Sequence, residues 1–161
     1  MQYRRPRLIY FGPMSLAVLY GQKTSVRVPW ASRRSIAFQP GETVPACDQR
    51  PKRNGKQIAT LRITQRPYRM NSADLTEEDY AMEGFLFLEQ AGGTFGARNP
   101  RDYWEAAREA AADLAVLRFE VVEVLTRDEA DVDTSDDPEG LAMLGLQYGL
   151  RLEEHALAPG S

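Results

Sequence analysis

The sequence predicts an α+β domain: a small, mostly antiparallel β-barrel or curled sheet flanked by short helices. Three observations predict it. Segments that alternate polar and apolar residues recur along the chain, and short turns rather than regular helices separate them. Helix start signals stand out at two later places, Thr76 and Asn99-Pro100. A chain of 161 residues with a single cysteine is long enough for one compact core without an internal disulfide.

The elements follow in order. Residues 7–11 read as a short buried strand that Gly12-Pro13 breaks. Met14 to Tyr20 reads as a short helix, apolar nearly all round, and Gly21 is placed to end it in the left-handed conformation. Residues 24–30 alternate as a strand, which Pro29 confines to an edge or a strand end. Residues 39–43 hold a Pro40-Gly41 turn of type II, with a strand through Val44 after it. Residues 48–56 form a basic loop with Asn54-Gly55 as a hairpin turn. Residues 57–66 give the clearest strand.

Thr76 then caps a helix that runs to about Glu83, with three carboxylates in the first turn facing the helix dipole and Gly84 at its end. Asn99 and Pro100 open a second helix over Arg101 to Ala112. Leu114 to Leu125 reads as a long, well-buried strand. Residues 127–139 are acidic, with Arg127 their sole cation, and read as a flexible linker. Residues 139–155 carry enough leucine for one amphipathic helix. The expected division is a domain over residues 1–125 and an acidic extension over 126–161.

The net charge of −3 conceals a strong asymmetry. Residues 1–75 hold fourteen Lys and Arg against Glu42, Asp48 and Asp74, whereas residues 76–161 hold six against twenty acids. Such a split suggests a polyanion-binding surface and an acidic element, or two halves that pair off in the fold. One cysteine, Cys47, and one histidine, His155, exclude a Cys/His zinc site, so no metal is expected. A Ser-His-Asp triad would depend on His155 in a polar C-terminal stretch, where its geometry is poorly held. No cofactor motif is present. The basic, apolar beginning is interrupted by Pro6, Gly12 and Pro13 and reads as folded protein rather than a signal peptide. No membrane-spanning run occurs. A lone cysteine fits a reducing compartment, so the expected location is cytoplasmic.

The segment Gly21-Gln22-Lys23-Thr24-Ser25-Val26-Arg27 concentrates a lysine, two hydroxyls and an arginine at a helix-to-strand turn. Donors so arranged suit a phosphate or a polar base edge. Trp30 is read mainly as core. Tyr68, between Arg66 and Arg69, forms a basic-aromatic interleave able to stack a base.

Taken together, Gly21, Lys23, Thr24 and Arg27, the turn Pro40-Gly41-Glu42, the strand Ile58–Thr64, the helix Leu75–Phe85 ending Glu83-Gly84-Phe85, Trp104 and the strand Val116–Val124 resemble the ASCH domain family of the PUA-like superfamily. The resemblance covers roughly residues 8–125. It implies a PUA-like barrel and a cleft between barrel and helices, lined by the Lys-Thr turn and the Glu-Gly-Phe helix. Family members are associated with RNA binding, some with RNA cleavage, and one branch resembles acetylcytidine amidohydrolases. In that branch a Lys, a Thr three residues later and a Glu act together. Here the Lys falls on Lys23 and the Glu on Glu83, but the Thr falls on Val26, which has no hydroxyl; Thr24 or Ser25 would have to substitute.

Three readings stay open at this point. The first is an RNA- or nucleotide-binding module. In it Gly21, Ser25, Arg27, Trp30, Tyr68 and Arg69 contact the ligand, and Arg33, Arg34, Arg50, Lys52, Arg53 and Lys56 attract the phosphate backbone. The second is a hydrolase acting on a modified nucleoside or single-stranded RNA. There Lys23 is the base, Thr24 a nucleophile and Glu83 a proton shuttle. In the third, an interaction protein, the acidic extension pairs with the basic face or with a partner.

Overall fold

The computed structural model describes residues 7–94, 98–125 and 129–134. In chain order the elements are β1 (Ile9–Tyr10), α1 (Ser15–Leu19), β2 (Ser25–Pro29), β3 (Thr43–Cys47), β4 (Gln57–Ile63), β5 (Tyr68–Asn71), α2 (Glu77–Met82), α3 (Phe85–Gln90), α4 (Pro100–Ala110) and β6 (Asp113–Val124). Short 3-10 turns fill several connections, including Trp30–Ile36 directly after β2.

Strand β6 is the spine of the sheet. Its first half pairs antiparallel with β2 on one edge and with β5 on the other, and its second half pairs with β4. Beyond β4 lie β3 and then β1, giving the order β1-β3-β4-β6-β2. The β1–β3 pair is parallel, so the sheet is mixed. Register shifts at Thr60/Leu61 and Ala46/Cys47 bend the strands and help curl the sheet. The result is an α+β half-barrel with helices packed on it, matching the predicted class.

Both predicted caps form. Thr76 accepts from the Asp79 amide while the Asp79 carboxylate accepts from the Thr76 amide, a reciprocal capping box. The Asn99 side chain accepts from the Asp102 amide, with Pro100 behind it. Strands β4 and β6 lie within three residues of their expected ends. The helices bury an aromatic group in which Tyr80, Phe85, Tyr103 and Trp104 stand 5.3–5.7 Å apart between centroids. Trp104 is 1 % exposed, in keeping with its reading as core.

Three expectations need correction. The loop over 48–56 does not close at Asn54-Gly55 as a two-residue hairpin. The buried Asp48 carboxylate accepts from the Gln49 and Lys56 amides at 2.7 and 2.8 Å, and this clasp holds the loop open around a 3-10 turn at Pro51–Arg53. Residues 129–134 are not a free linker. Val132 joins the core, the Asp133 amide donates to Asp48 at 3.1 Å, and Gln49 donates to the Asp133 carbonyl at 3.2 Å. Finally, β5 and α3 were not expected. The helix predicted over 139–155 lies outside the described residues.

Candidate functional site

Side chains alternate along β2 and the turn before it, so Lys23, Ser25 and Arg27 share one side while Val26 and Val28 take the other. On α2, Asp79 and Glu83 stand one helical turn apart and face the same way. Gly84 adopts φ +92, which lets the chain turn from α2 into α3 as Glu83 forms a β-bridge with Lys23. These local features bring the two segments together.

The resulting cluster is closed by hydrogen bonds. Lys23 Nζ donates to the Glu83 main-chain oxygen at 3.0 Å and lies 3.5 Å from Oε1. The Ser25 hydroxyl donates to Glu83 Oε2. Arg27 donates to the same oxygen at 2.7 Å, to Ser25 Oγ at 3.0 Å and to Asp79 Oδ1 at 2.7 Å. Asp79 uses its other oxygen for the α2 cap, so one carboxylate both starts the helix and anchors Arg27. Lys23, Ser25, Arg27 and Glu83 are at most 1 % exposed. Two cations thus meet two carboxylates away from water, the condition under which buried charge is tolerated. Burial lowers the Lys23 pKa; Glu83 opposes that shift and Arg27 adds to it.

The predicted partners Lys23 and Glu83 therefore meet. Val26 lies in the core, and the hydroxyl bound to Glu83 comes from Ser25. Thr24 contributes its backbone: its amide donates to Met82 and its carbonyl accepts from Phe119. Gly21 sits at the end of α1, and the Lys23 amide folds back onto Ala17. Asp79 was read from sequence only as a first-turn charge. Its position four residues before Glu83 is the signal that places it on the same helix face.

The remaining predicted residues gather elsewhere. Trp30, Arg33 and Arg34 line an open concavity of about 340 Å³ together with Phe38 and Arg66. Arg33 and Arg69 lie over the Trp30 ring at 4.9 and 4.7 Å, and Arg7 lies over Phe38 at 3.9 Å. Trp30 is half-buried, and its ring is a platform for guanidinium groups. Arg69 also pairs with Asp113 at 2.8 Å, and that hydrogen bond holds the Asp113 carboxyl below the usual carboxylate range. Tyr68 accepts from Arg118 at 3.0 Å.

The cations of the 48–56 loop form a second basic surface. Lys52, Arg53 and Lys56 are exposed and Arg50 is half-buried. They stand at the Cys47 end of β3, whereas Phe38 and Gln39 precede its Thr43 end, about 13 Å of strand away. The residues expected to contact a ligand or its phosphate backbone are thus divided among a sealed cluster, an arginine-rich pocket and a loop.

No family model matches the chain, and no curated protein matches it. Among solved structures, a protein of Enterococcus faecalis V583 assigned to the DUF984 family shares 18 % identity at a TM-score of 0.49, covering 80 % of this chain and 88 % of its own. An ASCH domain of Lactobacillus crispatus JV V101 shares 17 % identity at a TM-score of 0.44, covering 68 % and 70 %. Likeness at this level does not bear on activity. No helix among the described residues is long and apolar enough to cross a membrane. The chain itself is a curled mixed sheet backed by short helices.

Proposed function

We propose that the chain is an ASCH-like module that binds RNA or a nucleotide through the arginine pocket beside Trp30. One observation carries this reading. Arg33, Arg34 and Arg66 converge on one concavity with no carboxylate among its lining residues. Arg33 lies over the Trp30 ring and spends one N–H on the Trp30 carbonyl, and the planar guanidinium forks of all three suit phosphate oxygens. The apolar part of the lining, Trp30, Phe38 and Pro67, suits a sugar or a base. The sealed Lys23–Glu83 cluster then serves to lock β2 onto α2.

The test is a titration with single-stranded RNA at several salt concentrations. Affinity is expected to fall steeply between ~50 and ~200 mM salt. Arg34 and Arg66 are exposed, so changing both to Gln should leave the fold intact and reduce the log–log salt slope by about 1.4. A flat salt dependence would overturn the binding reading.

A second reading, hydrolysis of an acylated nucleoside, is favoured by one feature. A serine hydroxyl and a lysine with a lowered pKa meet on one carboxylate. It requires the cluster to open toward solvent. Turnover of acetylated nucleosides that Ser25→Ala abolishes would establish it in place of the scaffold role.

A further inference from the structure

We infer that the arginine pocket recognises a phosphomonoester, the phosphorylated end of an RNA strand or a free nucleoside monophosphate, in preference to the internal phosphodiesters of a strand. This rests on the binding reading above and adds the identity of the group bound. Three guanidinium groups, Arg33, Arg34 and Arg66, line a space of about 340 Å³, and Arg7 lies over the ring of Phe38, one of the other lining residues. The volume is at the small end of ligand pockets, room for a single nucleotide.

The commitments of these arginines differ. Arg69 is spent on Asp113, and Arg33 gives one N–H to the Trp30 carbonyl at 3.0 Å. Among the described residues no ion pair engages Arg7, Arg34 or Arg66. So much uncompensated positive charge in so small a space favours the ligand with the most charge per phosphorus. An internal phosphodiester carries one charge and two free oxygens. A phosphomonoester carries about −1.5 to −2 at neutral pH and three acceptor oxygens. The third oxygen and the added charge give the pocket donors something to bind that a diester lacks.

The geometry also separates the end of a strand from its body. The basic loop with the exposed Lys52 and Lys56 lies at the far end of the β3–β4 hairpin and would attract the remaining backbone at long range. Attraction there is independent of the terminus, so the two contributions can be measured apart.

The experiment compares three labelled ten-nucleotide RNAs of one sequence: 5′-phosphorylated, 3′-phosphorylated and with hydroxyls at both ends. Each is titrated by fluorescence anisotropy against the wild-type chain and against Arg34→Gln/Arg66→Gln. Adenosine monophosphate and adenosine serve as competitors. At least one phosphorylated RNA is expected to bind about tenfold more tightly than the hydroxyl form, with the preference lost in the double variant. The monophosphate should compete and the nucleoside should not. Binding of the monophosphate in a calorimetric titration, without measurable RNA binding, would assign the pocket to the free nucleotide. Equal affinities for the three RNAs, with binding intact, would overturn the inference and leave the binding reading standing. Absence of all binding would end both.

Discussion

Glu83→Ala is expected to cost about 3–5 kcal/mol of folding stability, the range found when one partner of a buried ion pair is removed. The reason is specific to the cluster. Glu83 neutralises Lys23 through Oε1 and holds both Ser25 and Arg27 through Oε2, all at or below 1 % exposure. Without it Arg27 retains Asp79, but Lys23 keeps only a main-chain oxygen. For a domain of this size the loss corresponds to a fall in melting temperature of roughly 6–20 °C. The deficit should shrink at high pH. Burial already lowers the Lys23 pKa below 10.5, and losing Glu83 removes the attraction that opposes this. The folded variant then binds fewer protons than the unfolded chain, so its stability rises with pH until unfolded lysine also deprotonates near 10.5. Thermal melts at neutral pH and near pH 10 measure both effects. A loss below about 1 kcal/mol at neutral pH would mean that the cluster does not lock β2 to α2.

Gly84→Ala is the second large effect, at about 2–5 kcal/mol. Gly84 sits at φ +92, where a side chain costs roughly 1–2 kcal/mol by backbone strain alone. An added methyl would also stand 2.8 Å from Met14 Cε, 3.1 Å from Ala17 Cβ and 3.2 Å from Lys23 Cβ. Relieving that crowding costs about 1–3 kcal/mol more. Gly21→Ala separates the two causes. Its φ is +70 and nothing lies within 4 Å of the added carbon, so only the conformational cost applies. Denaturant unfolding of both variants should therefore show Gly84→Ala as clearly the weaker. Equal losses would mean that the approach of α1, α2 and the Lys23 turn at Gly84 carries no strain.

What the sequence revealed and what it concealed have physical explanations. The helix starts at Thr76 and Asn99 were readable because capping is local chemistry, settled within four residues. Strands β4 and β6 were readable because alternation and burial coincide along them. The parallel β1–β3 pair depends on a long-range contact of two residues, which no local pattern encodes. Helix α3 was hidden because Phe85-Leu86-Phe87-Leu88 is too short a run to show a helical period, and Gly84 reads as a stop. The pairing of Lys23 with Glu83 across sixty residues came from family resemblance, and spacing alone would not have found it. Strand alternation placed Ser25 opposite Val26, but did not disclose that Ser25 would reach Glu83. The division of the basic residues between the pocket and the loop was not legible, because charge along a sequence says nothing about which end of a hairpin each cation will occupy.

The acidic half illustrates the same point. Its first residues were read as a linker on composition, yet Val132 is buried and Asp133 is tied to Asp48 and Gln49 beside the basic loop. One apolar residue and two backbone hydrogen bonds, invisible to an average over the segment, fix its position.

The chain has two tryptophans, which makes one spectroscopic measurement decisive. Trp30 stands in the arginine pocket, while Trp104 is sealed against Tyr80 and Phe85, which lie close in the chain to Asp79 and Glu83 of the buried cluster. Nitrogen-15 labelled protein gives one indole signal for each, and the two are assigned by Trp30→Phe. On titration with a phosphorylated RNA oligonucleotide, the Trp30 signal should shift and the Trp104 signal should stay in place. A shift at Trp104 with Trp30 unmoved would contradict the account and place the ligand in the buried cluster.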